Sequence, residues 1–581
     1  MRDAGRVFPV DEPRSIGLQS EAVTSINELA EQYVVRSVEM NPILATDLGV
    51  AGHDHELTDF SRAGFEARDA LDRETLTALA KVEPGAERER VAKLAMVERL
   101  GLSVELHDAG EDTSALNVIA GPLQSIRSVF DQMALEGDEN QHNIAARLSR
   151  VPDALAQLQA TLLESAENGR TSARRQVLAC AKQCEQWTGE RGDANFWTDL
   201  VRRTGATGAV RTDLDRGAAQ ATEATADFGR FLNDELFAFA RAKDAVGRER
   251  YALNSRVFLG DAVDLDETYA WGLEEVARLR AEMARVAGRI IPGGSLADVL
   301  TALDADPARR ITGAANFRAW MQDKSDAAVD ALADVHFDIP EPVRRLECMI
   351  APTRDGVMYY TPPSEDFTRP GRMWWSVPEG QTEFATWRET TTVYHEGVPG
   401  HHLQCGQTAY RSEVLNRWQR SMCWVSGHGE GWALYAERLM DDLGFLADPA
   451  DKLGMLDGQM MRAVRVVVDL GMHLELEVPK GTPFGNGSDH DGERWTPELG
   501  WEYMTANVNT EEAQLAFELD RYLGWPGQAP AYKVGERIWL RARDDAKARM
   551  GEDFDLKQFH RQALDLGSIG LAPLREALAR L

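Results

Sequence analysis

The sequence predicts a large, mainly α-helical protein of two lobes, with a small antiparallel β element beside one of its helices. Long stretches rich in Ala, Leu, Glu and Arg carry apolar residues at helical spacing. Strand-like sequence is concentrated in one region, residues 347–378. The chain has 581 residues, 43% of them hydrophobic, which is enough for a sizeable core.

Residues 1–345 are predicted to form a helical N-terminal lobe, and residues 346–581 a second lobe. The first helical pattern covers residues 20–50, where Ile26, Leu29 and Tyr33 recur at the spacing of one helix face. Similar helical patterns then cover residues 86–107, 143–167, 172–189, 213–243 and 267–288.

The second lobe begins with residues 347–378, which contain CMIAP, GVMYYTPP and GRMWWSVP. This region is dense in Met, aromatic and β-branched residues and is punctuated by Pro and Gly, which predicts a small antiparallel sheet or a pair of extended segments. We interpret residues 371–376 as an extended edge. Such an edge either pairs with another chain by strand addition or packs within the fold.

Further helices are predicted after this region. They cover residues 382–398 and, after a break, 407–420, 430–443, 450–478, 496–523 and 531–547. Residues 476–495 are rich in Gly, Asp and Pro and predict a long loop, a feature that is often functional or mobile.

The chain carries 64 basic and 94 acidic residues, a net charge of −30. Such a surface repels a polyanion, so nucleic acid is not an expected partner. The five cysteines are sparse for this length and suggest a reducing compartment. Residues 1–15 lack the apolar core of a signal peptide, and no apolar run approaches about 20 residues. We therefore expect a cytoplasmic protein with no membrane contact.

The most informative motif is His395-Glu396 followed by His401-His402. Zinc hydrolases bind their ion with two imidazoles, and a Glu beside the first acts on the bound water. The spacing departs from the usual HExxH, because Pro399 occupies the fourth position after His395. On an unbroken helix His401 would lie about 9 Å further along the axis and about 120° round it, and His402 about 10.5 Å away.

The sequence also supplies a break in that helix. Pro399 lacks an N–H and clashes with the carbonyl of His395, and Gly400 permits almost any backbone angle. A widened turn at Pro399-Gly400 would bring His401 back toward His395. We therefore predict a variant of the zinc motif in which the helix is distorted between Val398 and His401.

A third protein ligand is needed, and Glu430 is the best candidate. It opens a strong helical pattern, GEGWALYAE, 29 residues after His401. Two His and one carboxylate are a normal ligand set that leaves one position open. Glu437 lies two turns further along, where we interpret it as holding a ligand His by its other nitrogen.

Several motifs together resemble one known family. HEGVPGHHLQ followed by GEGWALYAE, then RVVVDLGMH at 465–473 and the RY…PGQAPAYKVG segment at 521–535, is similar to the bacterial domain-of-unknown-function 885 family. That family resembles the helical zinc metallopeptidases of the thermolysin-like superfamily. The resemblance covers about residues 350–575 and departs from the family pattern at the 476–495 loop.

The resemblance implies a two-lobed metallopeptidase-like fold, with zinc bound by His395, His401 and Glu430 and with Glu396 as the general base. It favours His401 over His402, because the second His varies in the family. His402 is then expected to hydrogen-bond nearby.

Four further residues are candidates for the site. His473 lies beside Asp469 in an apolar helix, and it is either an oxyanion donor or a core His held by that Asp. Tyr532 is a candidate to stabilise a tetrahedral intermediate, and Tyr522 is a weaker one. Each Tyr is alternatively a packing residue of its turn.

The leading hypothesis is zinc-assisted hydrolysis of an amide in short, unstructured peptides. The alternatives are a zinc-assisted reaction on a small metabolite, and a binding protein without turnover. The intact Glu396 argues against the last, because metal binding does not require it. The acidic chain predicts a weak preference for neutral or basic peptides, with acidic ones weakly repelled.

Overall fold

The computed structural model describes residues 25–351 and 358–580, and within them the protein is mainly helical, as predicted. The segment 1–15, residues 20–24 of the first predicted helix, and residues 352–357 of the predicted extended region lie outside the described residues. No helix of the described residues is long and apolar enough to cross a bilayer.

The predicted N-terminal lobe consists almost entirely of helices. In chain order they are α1 (Ile26–Met40), α2 (Pro42–Asp47), α3 (Arg62–Leu79), α4 (Glu87–Ala109), α5 (Pro122–Gln132), α6 (Asp138–Leu148), α7 (Val151–Glu167), α8 (Arg174–Thr188), α9 (Phe196–Arg203), α10 (Gly208–Phe231), α11 (Phe237–Phe239), α12 (Arg248–Leu259), α13 (Leu265–Ile290), α14 (Leu296–Ala305) and α15 (Ala314–Leu332).

Five short strands flank the start of the second half. They are β1 (Arg310–Thr312), β2 (Leu346–Ile350), β3 (Met358–Thr361), β4 (Gly371–Trp375) and β5 (Glu383–Ala385). The remaining helices are α16 (Thr386–Glu396), α17 (His401–Tyr410), α18 (Arg417–Ser421), α19 (Ser426–Asp442), α20 (Pro449–Leu474), α21 (Pro497–Asn507), α22 (Glu512–Gly524), α23 (Ala531–Met550), α24 (Leu556–Leu564) and α25 (Leu571–Leu578).

The β element is a mixed sheet of order β2-β4-β3, with β2 parallel and β3 antiparallel to β4. A separate antiparallel pair joins β1 to β5 just before α16. The expectation of an antiparallel sheet is therefore correct for β3–β4 and wrong for β2–β4.

The sheet also corrects the expectation for residues 371–376. Residues 371–375 form β4, the central strand, whose two edges are both paired. The edge strands are β2 and β3, and β3 lines a cleft together with residues of α16 and α17.

Helix α20 is the central helix of the second half. Asp448 caps its first turn by accepting the N–H of Ala450, and Pro449 occupies the first helical position, where no N–H is needed. Its residues from Ala463 to His473 are all buried, so apolar residues surround this helix on every side. It packs along α13 and α16, which places the N-terminal helices directly behind the cleft.

Two non-helical segments separate the helices that follow α20. The predicted helix 496–523 is two helices, α21 and α22, separated by an extended segment that starts at Val508. The 476–495 loop is anchored by Phe484, which is buried against Trp495 and Tyr503.

The hydrophobic core has two large clusters, and the boundary predicted near residue 345 falls inside one of them. That cluster joins α1, α4 and α12–α15 to nearly all helices after α16. The other lies within residues 43–240.

Candidate metal centre and its cleft

The helix carrying His395 ends at Glu396, and a turn separates it from α17, which begins at His401. The Gly400 N–H donates to the carbonyl of Tyr394, six residues back, at 3.0 Å. Gly397 and Gly400 both have ψ near −130°, far from helical values. The expected distortion of the helix between Val398 and His401 is therefore present.

Close packing explains why a glycine occupies position 400. A Cβ built there would lie 1.9 Å from the carbonyl oxygen of His395, so no larger residue fits without moving the backbone. The buried indole of Trp432 donates to the carbonyl of Pro399 at 2.9 Å and braces the turn from the other side. As a result, the rings of His395 and His401 lie 4.9 Å apart between centroids.

Glu430 completes a triangle with these two imidazoles. Its Oε2 lies 3.4 Å from Nε2 of His395 and 3.4 Å from Nε2 of His401. This oxygen is buried and has no hydrogen-bond partner in the part of the chain that the structure describes. Glu396 is also at the cluster, with ligand-capable atoms of His395, Glu396 and His401 all within 4.8 Å of one another.

Glu437 orients His395. Its Oε1 accepts the Nδ1–H of His395 at 2.8 Å, and its Oε2 accepts the hydroxyl of Thr391 at 2.6 Å. Because this bond keeps a proton on Nδ1, Nε2 is the nitrogen directed at Glu430 and His401, and it presents a lone pair there when the ring is neutral. This is the contact that we interpreted from the two-turn spacing of Glu430 and Glu437.

The electrostatics of the cluster favour a cation. Burial alone would lower the pKa of His395, but the contacts with Glu430 and Glu437 raise it to about 10. Burial opposes ionisation of Glu430, yet His401 and His395 hold the pKa of this carboxyl well below its usual range. The protein thus gathers negative charge around two imidazole nitrogens in a buried place.

His402 points away from the cluster. Its Nε2 donates to the carbonyl of Val343 at 2.7 Å, so Nδ1 accepts the hydroxyl of Tyr360 at 2.9 Å. The ring is fully buried, and burial lowers its pKa to about 4. Both nitrogens of His402 are therefore occupied, as expected for the histidine that is not a ligand.

The cluster opens into a cleft of about 580 Å³. Tyr532, at the start of α23, lines this cleft, while Trp424 and Phe517 are 49% and 44% exposed at its walls. Burial and the neighbouring Glu430 raise the pKa of the Tyr532 phenol, although arginines oppose the shift. The phenol therefore keeps its proton at neutral pH and is able to donate it in a hydrogen bond.

The structure does not bring His473 to the cleft, which corrects its expected role as an oxyanion donor. His473 is fully buried near the end of α20, where its Nε2 donates to the carbonyl of Tyr522 at 2.9 Å. Its Nε2 is 3.8 Å from Asp469, too far for a hydrogen bond, so the pairing with that Asp is also wrong. The reason is that α20 is covered on every side, and spacing along it does not reveal which face meets the cleft.

Asp469 and Tyr522 have structural contacts instead. Asp469 accepts the hydroxyl of Tyr251 at 2.6 Å and the N–H of Gly527 at 2.9 Å, and burial raises its pKa to about 7. The hydroxyl of Tyr522 lies behind the cleft wall, where it accepts the Nε–H of Arg465 at 2.8 Å. Neither residue lines the cleft.

Three arginines that the sequence analysis did not select do line the cleft. Arg462 and Arg465 project from α20, and Arg521 from α22. The sequence contained a signal for two of them. Arg462 and Arg465 lie one turn apart in a largely apolar helical segment, where a charged side chain needs a partner.

Comparison with known proteins gives a family and a fold. Residues 42–578 match the family described as "Bacterial protein of unknown function (DUF885)". No functionally curated protein matches the chain.

Two crystal structures share the fold. One is a candidate lipoprotein from Colwellia psychrerythraea, with a TM-score of 0.81 and 23% identity over 96% of this chain and 99% of that chain. Another is a candidate lipoprotein of unknown function from Shewanella oneidensis, with a TM-score of 0.72 and 16% identity over 95% and 99% of the two chains.

Proposed function

The chain belongs to the bacterial DUF885 family, and from that premise we propose that it is a zinc-dependent hydrolase that cleaves peptides. The observation that carries the proposal is the buried triangle of His395, His401 and Glu430. The Oε2 atom of Glu430 lies 3.4 Å from Nε2 of each imidazole, and among the described residues it has no other hydrogen-bond partner. A buried, unpaired carboxylate oxygen is costly unless a cation occupies the space before it.

The triangle fits the requirements of zinc. A tetrahedral ion with bonds of about 2.0–2.1 Å has neighbouring ligand atoms about 3.3–3.4 Å apart. Two imidazoles and a carboxylate suit zinc better than calcium or magnesium, which prefer oxygen ligands. Glu396, which has no such paired short contacts, is better suited to act as a base than as a ligand.

Zinc, when bound, supplies a Lewis acid that lowers the pKa of water and polarises a carbonyl. Glu396, 7% exposed at the cleft floor, accepts the proton of the attacking water and delivers it to the leaving amine. Tyr532 donates its hydroxyl to the carbonyl oxygen as negative charge develops there. Glu437 keeps the proton of His395 on Nδ1 throughout.

The cleft suits an extended chain. Strand β3 pairs with β4 along one edge, and no strand of the described residues pairs with its other edge. Met358, Tyr359 and Tyr360 of β3 line the cleft together with the metal cluster. An extended peptide added at this edge would place its backbone beside Glu396. This arrangement supports peptide hydrolysis of the kind performed by helical zinc metallopeptidases, and the cytoplasmic location stays a prediction.

The test compares two carboxylates of the same cluster. Glu396→Gln is expected to retain about one zinc per chain and lose about 10²–10⁴-fold in turnover of a peptide library, because only the base is removed. Glu430→Gln is expected to lose zinc itself. Metal content by elemental analysis and peptide cleavage by mass spectrometry measure both.

Three results would contradict the proposal. Near-normal turnover by Glu396→Gln would remove Glu396 from the mechanism. Loss of zinc from Glu396→Gln but not from Glu430→Gln would exchange their roles. Bound zinc without cleavage of any peptide would redirect the proposal to a small metabolite or to binding without turnover.

A further inference from the structure

We propose that the cleft wall formed by α20 and α22 is a binding site for a carboxylate of the substrate, held by Arg462, Arg465 and Arg521. The inference rests on the proposed function for the identity of its substrate, a peptide, and it assigns the class of peptide that the cleft prefers. It replaces the expectation, drawn from net charge alone, that acidic groups are disfavoured.

The guanidinium groups of Arg465 and Arg521 are fixed in place before any ligand arrives. Glu518 accepts Nη2 of Arg465 at 2.9 Å and Nη2 of Arg521 at 2.7 Å. Tyr522 accepts Nε of Arg465, and Gln528 accepts Nη1 of Arg521 at 2.7 Å. Arg465 and Arg521 are each only 6% exposed. Although burial opposes it, the two arginines lower the pKa of Glu518 to about 2, so this link stays ionised.

Each of the three arginines retains a buried N–H that has no partner within residues 25–351 and 358–580. These groups are Nη1 of Arg465 and Nε of both Arg462 and Arg521. Buried donors are normally satisfied, and a charged donor left unpaired is among the most costly. A carboxylate on the ligand would neutralise this positive charge where the guanidinium groups line the cleft, since guanidinium and carboxylate groups match in planar geometry.

The local charge is opposite to that of the whole chain. Among the described residues, this wall contributes three arginines and one carboxylate, Glu518, to the lining of the cleft. The chain as a whole carries −30, but charges beyond about 8–10 Å are screened in physiological salt. The buried arginines therefore determine which groups bind here.

The position of the wall relative to the metal cluster limits where the substrate is cut. The Tyr532 ring lies 4.8 Å from the guanidinium carbon of Arg465, and both residues line the same cleft as Glu430. We therefore place Tyr532 between Arg465 and the cluster. An extended chain rises about 3.3 Å per residue, so the bound carboxylate lies about two or three residues from the scissile bond.

The experiment uses zinc-loaded full-length protein and three N-acetylated hexapeptides. The first ends in a free acid, the second has the same sequence with a C-terminal amide, and the third is the amide with Asp as its last residue. We expect kcat/KM for the free acid to exceed that for the amide by about 10- to 150-fold, the value of a charged hydrogen bond. Recovery of cleavage by the Asp peptide would show that a side-chain carboxylate is also accepted.

Variants connect this preference to the arginines. Arg521→Gln and Arg462→Gln are expected to bring the acid-to-amide ratio toward one. Arg541→Gln, an exposed arginine on α23 outside the cleft, should retain the full ratio. Because Arg521 bonds to Glu518 and Gln528, its variant needs a melting curve as a check of folding. Arg462, which donates Nη1–H to the carbonyl of Gly458 on the same helix, allows the same test with less risk to the fold.

A binding measurement separates this inference from the proposed function. Calorimetry with Glu396→Gln protein should show the same preference for the free acid, with Arg462→Gln in that background removing it. Peptides cleaved without any acid preference would overturn the carboxylate site and leave the hydrolase intact. An arginine-dependent preference in binding, with no cleavage by the unmodified protein, would support the carboxylate site and overturn the hydrolase.

Discussion

A single imidazole, that of His395, links two carboxylates of the same helix. Glu430 and Glu437 lie seven residues apart on α19, which is two helical turns and about 10.5 Å along the axis. The ring lies between the two carboxylates, with Nδ1 bonded to Glu437 and Nε2 toward Glu430. The two carboxylates therefore hold the ring in one orientation. Glu430, the proposed third ligand, lies on the same helix as Glu437, which orients His395, the proposed first ligand.

The adjacent histidines should respond differently to removal. His401→Ala is expected to abolish zinc binding, because it removes one of the two imidazoles facing Glu430. His402→Ala should keep zinc but lower the melting temperature, because it leaves Val343 and Tyr360 with unpaired buried groups. Elemental analysis and thermal unfolding measure the two effects, and zinc loss from His402→Ala alone would reverse the assignment.

Tyr532 gives a prediction about the rate. Tyr532→Phe removes a hydroxyl and little else, so zinc content and KM should change little while kcat falls by about 10²–10³-fold, as when one oxyanion donor is removed. Steady-state kinetics on a cleaved peptide separate the two constants. A rise in KM at unchanged kcat would instead make Tyr532 a residue of substrate binding.

Spacing along the sequence predicts which side chains share one face of a helix. Glu430 and Glu437 share one face of α19, and this was predictable from a two-turn separation. The role of His473 was not predictable, because residues 463–473 of α20 are all buried and only their tertiary neighbours decide which of them meet the cleft. Arg462 and Arg465 project into the cleft from that same helix, two to three turns before His473.

The geometry of the candidate metal centre depends on the turn between α16 and α17. This turn replaces four residues of regular helix and closes through the bond from Gly400 to Tyr394. Proline and glycine indicated that a break exists, so its presence was predictable. Its width was not, because the indole of Trp432, 33 residues away in sequence, braces it.

Replacing Gly400 should therefore disrupt the candidate metal centre. Gly400→Ala places a Cβ against the carbonyl of His395, and we expect loss of zinc and destabilisation of more than about 1 kcal/mol. Gly288→Ala is the matched control, since this exposed glycine of α13 has no atom within 4 Å of an added Cβ. That control should be neutral or slightly stabilising. Denaturant unfolding and zinc content test both, and a normal zinc content in Gly400→Ala would contradict the argument.

The pairing of elements was harder to predict than the elements themselves. Residues 371–376 have the composition of a strand, but nothing local distinguishes a central strand from an edge. Parallel pairing of β2 with β4 places β4 in the middle and leaves β3 at the edge. Likewise, α19 and α23 cross closely because Gly431 packs against Gly535, and this contact is what brings Tyr532 beside Glu430.

At the scale of the whole molecule, the two halves of the chain share one core. The larger hydrophobic cluster crosses residue 345, so the helices behind α20 support α16, α17 and α19 from the N-terminal part. Composition predicted a mainly helical protein, but a boundary in composition does not locate a boundary in packing. The cleft also receives Ile119 from the N-terminal part, so both parts of the chain enclose the metal cluster.

This enclosure determines which substrates reach the cluster. His395, Glu396 and His401 are exposed by only 4%, 7% and 7%, at the floor of a cleft of about 580 Å³. A single extended chain fits a pocket of this size, whereas the surface of a folded domain cannot approach buried ligands without first unfolding. We therefore expect cleavage of short, unstructured peptides and no cleavage of a stable globular domain. The test offers zinc-loaded protein one small disulfide-bonded domain in its native form, and as the matched control the peptides produced by reducing, alkylating and digesting that same domain. Mass spectrometry should find new cuts only in the peptides. Cuts in the native domain at a comparable rate would mean that the cleft opens far wider than this structure shows, because only an open cleft brings a folded surface to Glu396.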